Sequence, residues 1–581
     1  MIASTSRGAD AIARVLQGAS IDTVFTLCGG HISPILVAAK RAGLAIVDVR
    51  DEATTVFAAD AQARLTGRPG VAAVTAGPGV ANTITALKNA QMAQSPVVLL
   101  GGATATILKG RGSLQDIDQL ALVRPHVKWA SAVTRVADLG PTLAEALARS
   151  CDGVPGPVFV ECPLDLLYPE AFVRETHLAG LDQPRSLGER VMRWWVRRHL
   201  DRVFAPDGDH ITVQPPRHGR STGVVALARR AATAIGRASR PVVLVGSQAV
   251  SAGARVGDLA RALDRLAMPV FLSGMARGLL GPAHPLQFRH QRKAALREAD
   301  LVVLAGTPAD FRLDYGRHIS RRATLVSVNL SPVELTKNRR PTIGAVAPAA
   351  EFLATLADAG LSRRAEWDTW IGRLRERETA RDREIDGLAD ESVPPINPLR
   401  LCQGIERAAG ANAVFVVDGG DFVATASYIL RPRAPLSWLD PGVFGTLGVG
   451  AGFVLGVHRA RPGAEIWAVY GDGALGFSLS EFDTLARHRV PVIAVVGNDG
   501  KWAQIARDQV PLLGDDVATG IGGAAYHRVI EALGGRGFLL DDATRLDATL
   551  AAAREAAREG VPVLVNALIG DTEFRKGSIS L

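Results

Sequence analysis

Cysteine and long apolar runs are both scarce in this chain of 581 residues. The four cysteines, Cys28, Cys151, Cys162 and Cys402, form neither the paired spacing of a metal site nor a dense disulfide framework. Such sparse usage is typical of a reducing compartment. No apolar run is long enough to span a bilayer, and residues 1–10 lack the apolar segment and cleavage site of a secretory signal. We therefore expect a cytoplasmic protein without a transmembrane segment.

Lysine is also scarce, so arginine carries most of the net charge of +8. The basic residues are spread along the chain beside a similar number of acids, whereas a nucleic-acid-binding protein concentrates them on one face or in one arm. This distribution argues against nucleic acid as a partner. It fits anionic small molecules such as phosphates and carboxylates.

Glycine, alanine and short apolar runs that end at Gly or Pro are abundant. Helical patterns lie between these runs, and strands that alternate with helices indicate parallel sheets. One core cannot serve 581 residues, so we expect three α/β domains, at 1–175, 223–360 and 396–581, joined by linkers at 176–222 and 361–395. Strands are predicted at 23–27, 45–49, 71–75, 97–100, 158–161, 241–245, 268–271, 301–304, 324–328, 413–417, 465–469, 490–496 and 563–568.

The first linker contains an amphipathic pattern at residues 189–204, with apolar residues at helical spacing and arginines around the rest. One hypothesis is a helix that lies on a membrane surface. The other is a helix that packs between domains or subunits with its arginines in solvent. We favour the second, because one short helix gives only modest membrane affinity.

The strongest chemical signal is Gly471-Asp472-Gly473 at the end of one predicted strand, followed by Asn498 at the end of the next. The carboxyl ends of neighbouring parallel strands meet at one edge of the sheet, where ligands bind in doubly wound folds. The glycines allow a diphosphate to approach the backbone closely. Asp472, Asn498 and the backbone carbonyl of Gly500 supply the oxygen ligands that magnesium prefers. The pattern predicts a magnesium–diphosphate site with these three metal ligands.

This motif and several other segments of the chain resemble those of the thiamine diphosphate-dependent acetolactate synthase superfamily. The matching segments are Arg50-Asp51-Glu52, Ala58-Ala59-Asp60, Arg64-Leu65-Thr66-Gly67 and Thr75-Ala76-Gly77-Pro78-Gly79. The resemblance implies three doubly wound domains, which bind the pyrimidine, form the centre and bind the diphosphate. It also implies that Glu52 is the catalytic acid that exchanges a proton with the aminopyrimidine of the cofactor. A carboxyl group buried among Ala, Val and Phe would have a raised pKa, as that role requires.

The resemblance extends to further cofactor-binding positions, with some departures. Leu447 stands where many relatives have Met, and its similar bulk would still prop the cofactor in a bent shape. Asp421 and Phe422 stand where acetolactate synthases have Gln-His, so contacts there would rest on backbone amides. Asp499 replaces a second Asn. The complete cofactor-binding set implied is Glu52, Gly77, Gly420, Asp421, Phe422, Gly445, Thr446, Leu447, Gly471, Asp472, Gly473, Ala474, Asn498 and Gly500.

Two further residues bear on the substrate. His31 follows the first strand, where acetolactate synthases generally have a small residue and benzaldehyde lyase-like members a His. It is a candidate acid–base for the substrate hydroxyl, although a lone His is more often a structural hydrogen-bonding group. Gln115 matches a Gln that would bond a substrate oxygen.

Segments at 89–96, 112–119, 310–313 and 574–578 resemble the acetolactate synthase-like, 2-hydroxyacyl-CoA lyase 2 group. That resemblance implies a lyase that splits a 2-hydroxyacyl-CoA into formyl-CoA and an aldehyde. The alternatives are a decarboxylating carboligase acting on 2-oxo acids, of the acetolactate synthase type, and an inactive homologue that serves as a binding protein. Relatives hold FAD or ADP in the central domain. In this chain Gly246-Ser247-Gln248 and Gly306-Thr307-Pro308 are generic turns at strand ends, and they are compatible with a nucleotide site or with a site that orients CoA. The superfamily also implies at least a homodimer, and commonly a homotetramer, with Glu52 and the metal ligands on different subunits.

Overall fold

The computed structural model describes residues 7–206, 223–251, 256–361 and 363–576, and it divides into two compact units, residues 1–218 and 219–581. The first unit contains one six-stranded sheet and the second contains two. Every pairing between the named strands is parallel. The three α/β domains expected from the sequence are therefore present, while their exact boundaries stay predictions.

The sheet of the first unit has the strand order β2-β1-β3-β4-β6-β5. Its central strands β3 and β4 are buried along their whole length, because helices cover both faces of a parallel sheet. The strands are β1 Thr23–Leu27, β2 Ala45–Asp48, β3 Gly70–Val74, β4 Val97–Ala103, β5 Trp129–Ala132 and β6 Val158–Pro163. The helices are α1 Arg7–Gly18, α2 Ser33–Arg41, α3 Glu52–Thr66, α4 Pro78–Ala81, α5 Ile84–Ala93, α6 Gln119–Val123, α7 Leu139–Cys151, α8 Leu164–Leu167, α9 Glu170–Leu178 and α10 Leu187–Val203.

The central sheet, the first of the second unit, has the order β12-β11-β10-β7-β8-β9. Strand order reverses between β10 and β7, which makes their carboxyl ends the switch point of the sheet. The strands are β7 Pro241–Val245, β8 Val270–Leu272, β9 Gln287–Phe288, β10 Leu301–Ala305, β11 Thr324–Asn329 and β12 Ile343–Val346. The helices are α11 Val224–Ile235, α12 Val256–Leu266, α13 Arg292–Glu298, α14 Pro332–Thr336, α15 Ala349–Ala357 and α16 Ala365–Asp390.

The third sheet has the order β14-β13-β15-β16-β18-β17, so β13, β15 and β16 lie side by side. Their carboxyl ends carry the motif residues identified above. The strands are β13 Ala413–Asp418, β14 Trp438–Leu439, β15 Glu465–Gly471, β16 Val492–Asn498, β17 Arg536–Leu540 and β18 Pro562–Leu568. The helices are α17 Pro398–Ala408, α18 Gly420–Ile429, α19 Gly450–Ala460, α20 Asp472–Ser478, α21 Glu481–Arg487, α22 Ala503–Leu513, α23 Tyr526–Ala532 and α24 Leu546–Arg558.

The basic helix of the first linker is present as α10. Its inner face, Val196, Leu200 and Val203, is buried, and the first two pack with Ala105 and Ile107 in one apolar cluster. The helix therefore packs on an apolar cluster of the first unit itself, and its packing between domains or subunits stays a prediction. Among the described residues, no helix has both the length and the apolar character that crossing a membrane requires.

Candidate active site

Asp472 begins α20 at the point where β15 ends, and its side chain is almost completely buried. Oδ1 accepts the amide of Gly473 and Oδ2 accepts the amide of Gly500, both at 2.8 Å. Burial raises the pKa of Asp472, and burial together with the charge of Asp472 raises the pKa of Asp499 to about 7. Two carboxyl groups are thus close together in a partly buried place, and a bound cation would stabilise their charged forms.

Asn498, the last residue of β16, presents an amide oxygen at the same edge. Its Nδ2 donates to the Ala524 carbonyl at 3.1 Å and to Oδ1 of Asn566 at 3.0 Å. Its Oδ1 is buried, and no described residue is its hydrogen-bond partner. Because a buried acceptor without a partner is costly, this oxygen has the character expected of a metal ligand.

The third predicted ligand, the carbonyl of Gly500, has a different environment. It accepts hydrogen bonds from the amides of Ile521 at 2.8 Å and Gly522 at 3.0 Å. Its lone pairs are thus engaged by the backbone of the following loop. Metal binding through this carbonyl stays a prediction, and it requires that loop to shift.

The backbone around Asp472 is closely packed, and this explains the small residues. A Cβ atom at Gly473 would lie 2.2 Å from the Trp502 ring. A Cβ atom at Gly419 would lie 2.3 Å from the Cβ of Ala474 and 3.0 Å from Cδ2 of Leu447. Ala474 and Leu447 therefore converge on the glycine-rich end of β13. The sequence predicted that Leu447 supports the bent shape of the cofactor, and this is where its side chain lies.

Asp418, which the sequence reasoning missed, anchors the loop that carries Leu447. It ends β13, is fully buried, and accepts the amides of Gly448 at 3.1 Å and Gly450 at 2.8 Å. Burial raises the pKa of this carboxyl group to about 7, although both amide bonds favour its charged form. An acid that ends an apolar strand and precedes Gly-Gly is the signal that could have identified it.

The other predicted cofactor-binding residues of the third sheet are of two kinds: glycines whose backbone is open, and residues whose side chains already have partners. Gly420 and Gly445 have positive φ angles of 66°, and no atom of the described residues lies within 4 Å of where a Cβ atom would stand, so their backbone is open. Oγ1 of Thr446 donates to the Leu447 carbonyl at 3.2 Å. Asp421 forms ion pairs with Arg507 and Arg575, and Phe422 is buried in the core, where it packs over Gly497. Neither side chain is free to bind a cofactor, which agrees with the expectation that backbone amides serve there.

In the first unit, Glu52 is the first residue of α3, whose amino end is capped by Asp51. Oε2 of Glu52 accepts a hydrogen bond from Nδ2 of Asn82 at 3.0 Å. The expectation of a carboxyl group buried among apolar side chains is wrong for this chain, since Glu52 is only half-buried. The position at a helix start places its side chain at the sheet edge rather than in the core.

His31 lies at the same edge, on the loop that follows β1. Its Nδ1 is 3.2 Å from Oγ1 of Thr75, and burial lowers the pKa of its imidazole. A Cβ atom at Gly29 would lie 2.4 Å from Thr75, and one at Gly79 would lie 2.9 Å from Thr75 and 3.6 Å from Oε1 of Glu52. These glycines allow Thr75 to fit between the His31 loop and the Glu52 helix. The structure thus places His31 and Glu52 at one edge of the first sheet.

Gln115 and Gly77 meet at a second contact on this edge. A Cβ atom at Gly77, whose φ is 62°, would lie 2.7 Å from the Gln115 carbonyl. The Gly77 amide donates to Oε1 of the buried Gln119 at 2.9 Å, and Nε2 of Gln119 donates to Oε2 of Glu161 and to the Gly102 carbonyl, both at 3.0 Å. Gln119 and Glu161 were missed, although Glu161 is a lone acid in the buried strand β6.

The Asp60 and Arg64 motif has a structural explanation. Arg64 donates to both oxygens of the fully buried Asp60, and Asn89 on α5 donates to the same carboxylate at 3.2 Å. This network fastens α3 to α5. It positions the helix that begins at Glu52 without taking part in chemistry.

Three family models match the chain in order. They are the N-terminal TPP binding domain of thiamine pyrophosphate enzymes at residues 6–122, the central domain of these enzymes at 228–356 and their C-terminal TPP binding domain at 418–567. Thiamine pyrophosphate is another name for thiamine diphosphate. The central model spans all six strands of the central sheet, the N-terminal model ends after β4 of the first sheet, and the C-terminal model begins at the last residue of β13 in the third sheet.

Whole-chain relatives agree with these matches. The 2-hydroxyacyl-CoA lyase 2 of Danio rerio is 46% identical over 585 residues, which cover 100% of this chain and 94% of that protein. The 2-hydroxyacyl-CoA lyase 2 of Homo sapiens is 45% identical over 586 residues, covering 100% and 92%. A probable acetolactate synthase of Mycobacterium bovis is 34% identical over 569 residues, covering 97% and 96%.

Proposed function

The chain belongs to the family of thiamine diphosphate-dependent enzymes, and we propose that within this family it is a 2-hydroxyacyl-CoA lyase. The proposed reaction breaks the bond between C1 and C2 of the acyl chain. The 2-hydroxyl group loses its proton and becomes the carbonyl of an aldehyde, while the carbon that stays on the thioester gains a proton and becomes formyl-CoA. When bound, the cofactor supplies the carbon nucleophile and electron sink for this cleavage.

The residues of the second unit fit a magnesium-bound diphosphate. Asp472 offers a buried carboxylate, and Asn498 offers a buried amide oxygen without a described partner. The open backbone at Gly420 and Gly445 offers room for phosphate oxygens. We assign Asp472 and Asn498 as metal ligands, with the Gly500 carbonyl as a third once its loop bonds are released.

The residues of the first unit fit the aminopyrimidine and the substrate. Glu52 would hold and exchange a proton with the pyrimidine ring, and Asn82 keeps its carboxyl group in place through Oε2. His31, held beside Thr75, would take the proton of the substrate hydroxyl. Burial lowers the pKa of His31, so the ring is neutral near pH 7 and can accept this proton.

We further propose that the active unit is at least a homodimer, in which Glu52 of one subunit serves the metal ligands of another. Half-exposure of Glu52 supports this, because proton exchange with the cofactor needs a site that excludes water. Large apolar side chains near both half-sites are also exposed in the single chain. They include Leu114 at 82% exposure beside Gln115 and Phe477 at 63% beside Gly448. A second subunit that covers them would remove apolar surface from water.

The observation that favours a lyase over an acetolactate synthase is His31 at the substrate edge, where the synthases have a small residue. The runner-up, a decarboxylating carboligase acting on 2-oxo acids, draws support from the 34% identity to the mycobacterial synthase. Both reactions share the cofactor site. Only the substrate distinguishes them.

The deciding experiment is a paired assay of purified protein with thiamine diphosphate and magnesium. One reaction contains a 2-hydroxyacyl-CoA and is analysed for aldehyde and formyl-CoA, and the other contains pyruvate and is analysed for acetolactate. We expect aldehyde and formyl-CoA in equal amounts from the first and no acetolactate from the second. Acetolactate alone would establish the carboligase and remove His31 from the mechanism.

A further inference from the structure

The helix α10 has two apolar faces, and the first unit covers one of them, which consists of Val196, Leu200 and Val203. The outward side carries a second apolar stripe, at the i, i+4, i+7 spacing that places side chains on one face of a helix. About two and a half helical turns separate Leu187 from Val196, so the two stripes lie on opposite sides. The members of the outward stripe are Leu187, Val191 and Trp194, which are 77%, 58% and 59% exposed.

This helix is held in place through its amino end and its inner side. Oγ of Ser186 accepts the amide of Glu189 at 3.1 Å, and the Glu189 carboxylate accepts the amide of Arg185 in return. Further along, Nε2 of His199 lies 2.8 Å from Oγ1 of Thr106 in the first unit. An isolated helix of this length is marginal in water and has to fold when it binds a surface. Because α10 is already folded, binding through its outward side costs little ordering.

Arginines surround the outward stripe. The Arg198 guanidinium lies 5.6 Å from the centre of the Trp194 ring. Asp201, the acid of α10 on this side, is already paired with Arg174 of α9 at 2.9 Å. The outward side therefore combines an apolar centre with a net positive charge. Its exposed arginines, which form no ion pair with a carboxylate in the described part of the chain, are Arg190, Arg197, Arg198 and Arg202.

We propose that the outward side of α10 binds the surface of an anionic phospholipid bilayer. Leu187, Val191 and Trp194 enter the boundary between headgroups and acyl chains, where tryptophan is favoured. The arginines contact lipid phosphates, while their methylene stems cover the apolar stripe. A bilayer matches both the apolar and the cationic part of this surface, whereas a soluble anion matches only the second.

A second copy of the chain fits this surface less well. In a two-fold contact the same patch meets itself, so the arginines of one copy would lie against those of the other. Like charges that face each other across an interface repel, and Asp201 is already engaged by Arg174. The proposal is also independent of the proposed reaction, because membrane binding is measured without substrate and none of these residues is assigned to the cofactor site.

The test is co-sedimentation of the protein, loaded with thiamine diphosphate and magnesium, with sucrose-loaded vesicles. One set of vesicles contains phosphatidylcholine alone, and the other contains phosphatidylcholine with phosphatidylserine. We expect binding to the anionic vesicles to be at least about tenfold stronger than to the neutral ones, and to weaken as ionic strength rises. Lipids brominated on their acyl chains should quench the fluorescence of Trp194, and Trp194→Phe should still bind but lose most of this quenching.

Two triple variants separate the apolar from the ionic contribution. The first combines Leu187→Ser, Val191→Ser and Trp194→Ser, and the second combines Arg190→Gln, Arg197→Gln and Arg198→Gln. Each should weaken binding to anionic vesicles by about tenfold or more. All six side chains are exposed, so both variants should unfold close to the wild-type temperature.

The matched control combines Val225→Ser, Arg229→Gln and Arg230→Gln, which changes one exposed apolar residue and two exposed arginines on α11. This variant should bind vesicles as the wild type does. Absence of binding to anionic vesicles, equal binding to neutral ones, or binding that neither α10 variant reduces would overturn the proposal. If the wild type does not bind vesicles and the apolar variant forms smaller oligomers in sedimentation velocity, the surface is a contact between subunits instead.

Discussion

Nδ2 of Asn498 donates to Oδ1 of Asn566 across 3.0 Å, and this bond turns the Asn498 amide so that its own Oδ1 lacks a described partner. Asn566 is the one polar side chain in the apolar strand β18. Its position there is costly unless the bond is used, because a buried amide needs partners. We infer that Asn566 orients the amide oxygen that the metal requires.

Asn566→Ala should therefore weaken magnesium-dependent binding of thiamine diphosphate by about tenfold or more, as expected when a partner that orients a metal ligand is lost. Asn498→Ala, which removes the ligand itself, should weaken it further. Calorimetric titration of the cofactor at fixed magnesium measures both. Asn412→Ala, which removes an exposed bond to the Gly463 carbonyl in the same domain, is the control. Cofactor affinity that survives Asn566→Ala unchanged would show that the Asn498 amide needs no such partner.

The role of Glu52 predicts a separation between activity and folding. Glu52→Gln keeps an oxygen that can accept the Asn82 amide but loses the exchangeable carboxyl proton. Turnover should fall by about a hundredfold or more, the usual contribution of a positioned acid or base. Thermal unfolding should be nearly unchanged, because the side chain is half-exposed and the helix cap belongs to Asp51. Near-normal turnover in this variant would remove Glu52 from the mechanism.

From the sequence we predicted every interior strand of the three sheets in the described residues, but only one of their six edge strands, β2. All thirteen predicted strands are present, with ends shifted by at most three residues, and the five missed strands, β5, β9, β12, β14 and β17, are all edge strands. An edge strand pairs on one side only and is less enclosed, so it does not need a continuous apolar run. The burial pattern of β5, partly exposed at every position, illustrates the point.

The candidate site was predictable where strand ends carry glycine and acid together, as at Asp472. The sequence did not reveal the site residues whose side chains hold another segment of the chain in place. Gln119 and Asp418 each bond backbone amides of segments distant in sequence, and only the fold brings those amides to them. The environment of Glu52 was misjudged for another reason: residues 54–63 of α3 are all buried, but Glu52 precedes them at the very start of the helix, where the chain is still at the sheet edge.

Gln119 offers a test of such indirect action. It connects the Gly77 amide to Glu161 and thereby holds the loop next to Gln115. Gln119→Met keeps the volume but leaves the Gly77 amide and the Glu161 carboxylate without this partner. We expect the Michaelis constant to rise or the turnover number to fall by about tenfold, while cofactor affinity at the metal site stays unchanged. Gln119→Glu can still accept from Gly77 but places a second carboxyl group beside Glu161, so it should lose at least as much as Gln119→Met. Near-normal kinetics in both variants would remove Gln119 from this role.

Asp418 predicts a pH dependence of stability. Burial raises its pKa to about 7 in the folded chain, above the ordinary value of 3.8, so the folded state binds the proton more tightly than the unfolded state. Its contribution to stability is therefore complete below the unfolded value and is lost as pH rises through about 7. Between the two values the loss approaches about 1.4 kcal/mol per pH unit. Asp418→Asn removes this titration, so the difference in unfolding temperature between wild type and variant should change in favour of the variant as pH rises from about 5 to about 8. A difference that is constant with pH would mean that the two amide bonds keep Asp418 charged throughout.

The assignment of His31 predicts the acid limb of the pH–rate profile. Burial lowers the pKa of its imidazole below 6.5, and the reaction requires the neutral ring as proton acceptor. Activity on a 2-hydroxyacyl-CoA should hold at neutral pH and decline only as pH falls through that lowered value. His31→Gln keeps hydrogen-bonding capacity towards Thr75 but cannot take the proton, so turnover should fall by about a hundredfold and this limb should disappear. Thr75→Val, which frees the ring from its partner at 3.2 Å, should keep the limb and reduce the rate less. If His31→Gln instead reproduced the wild-type profile, the histidine would serve only as a hydrogen-bonding partner of Thr75, and the substrate proton would have to leave through another group.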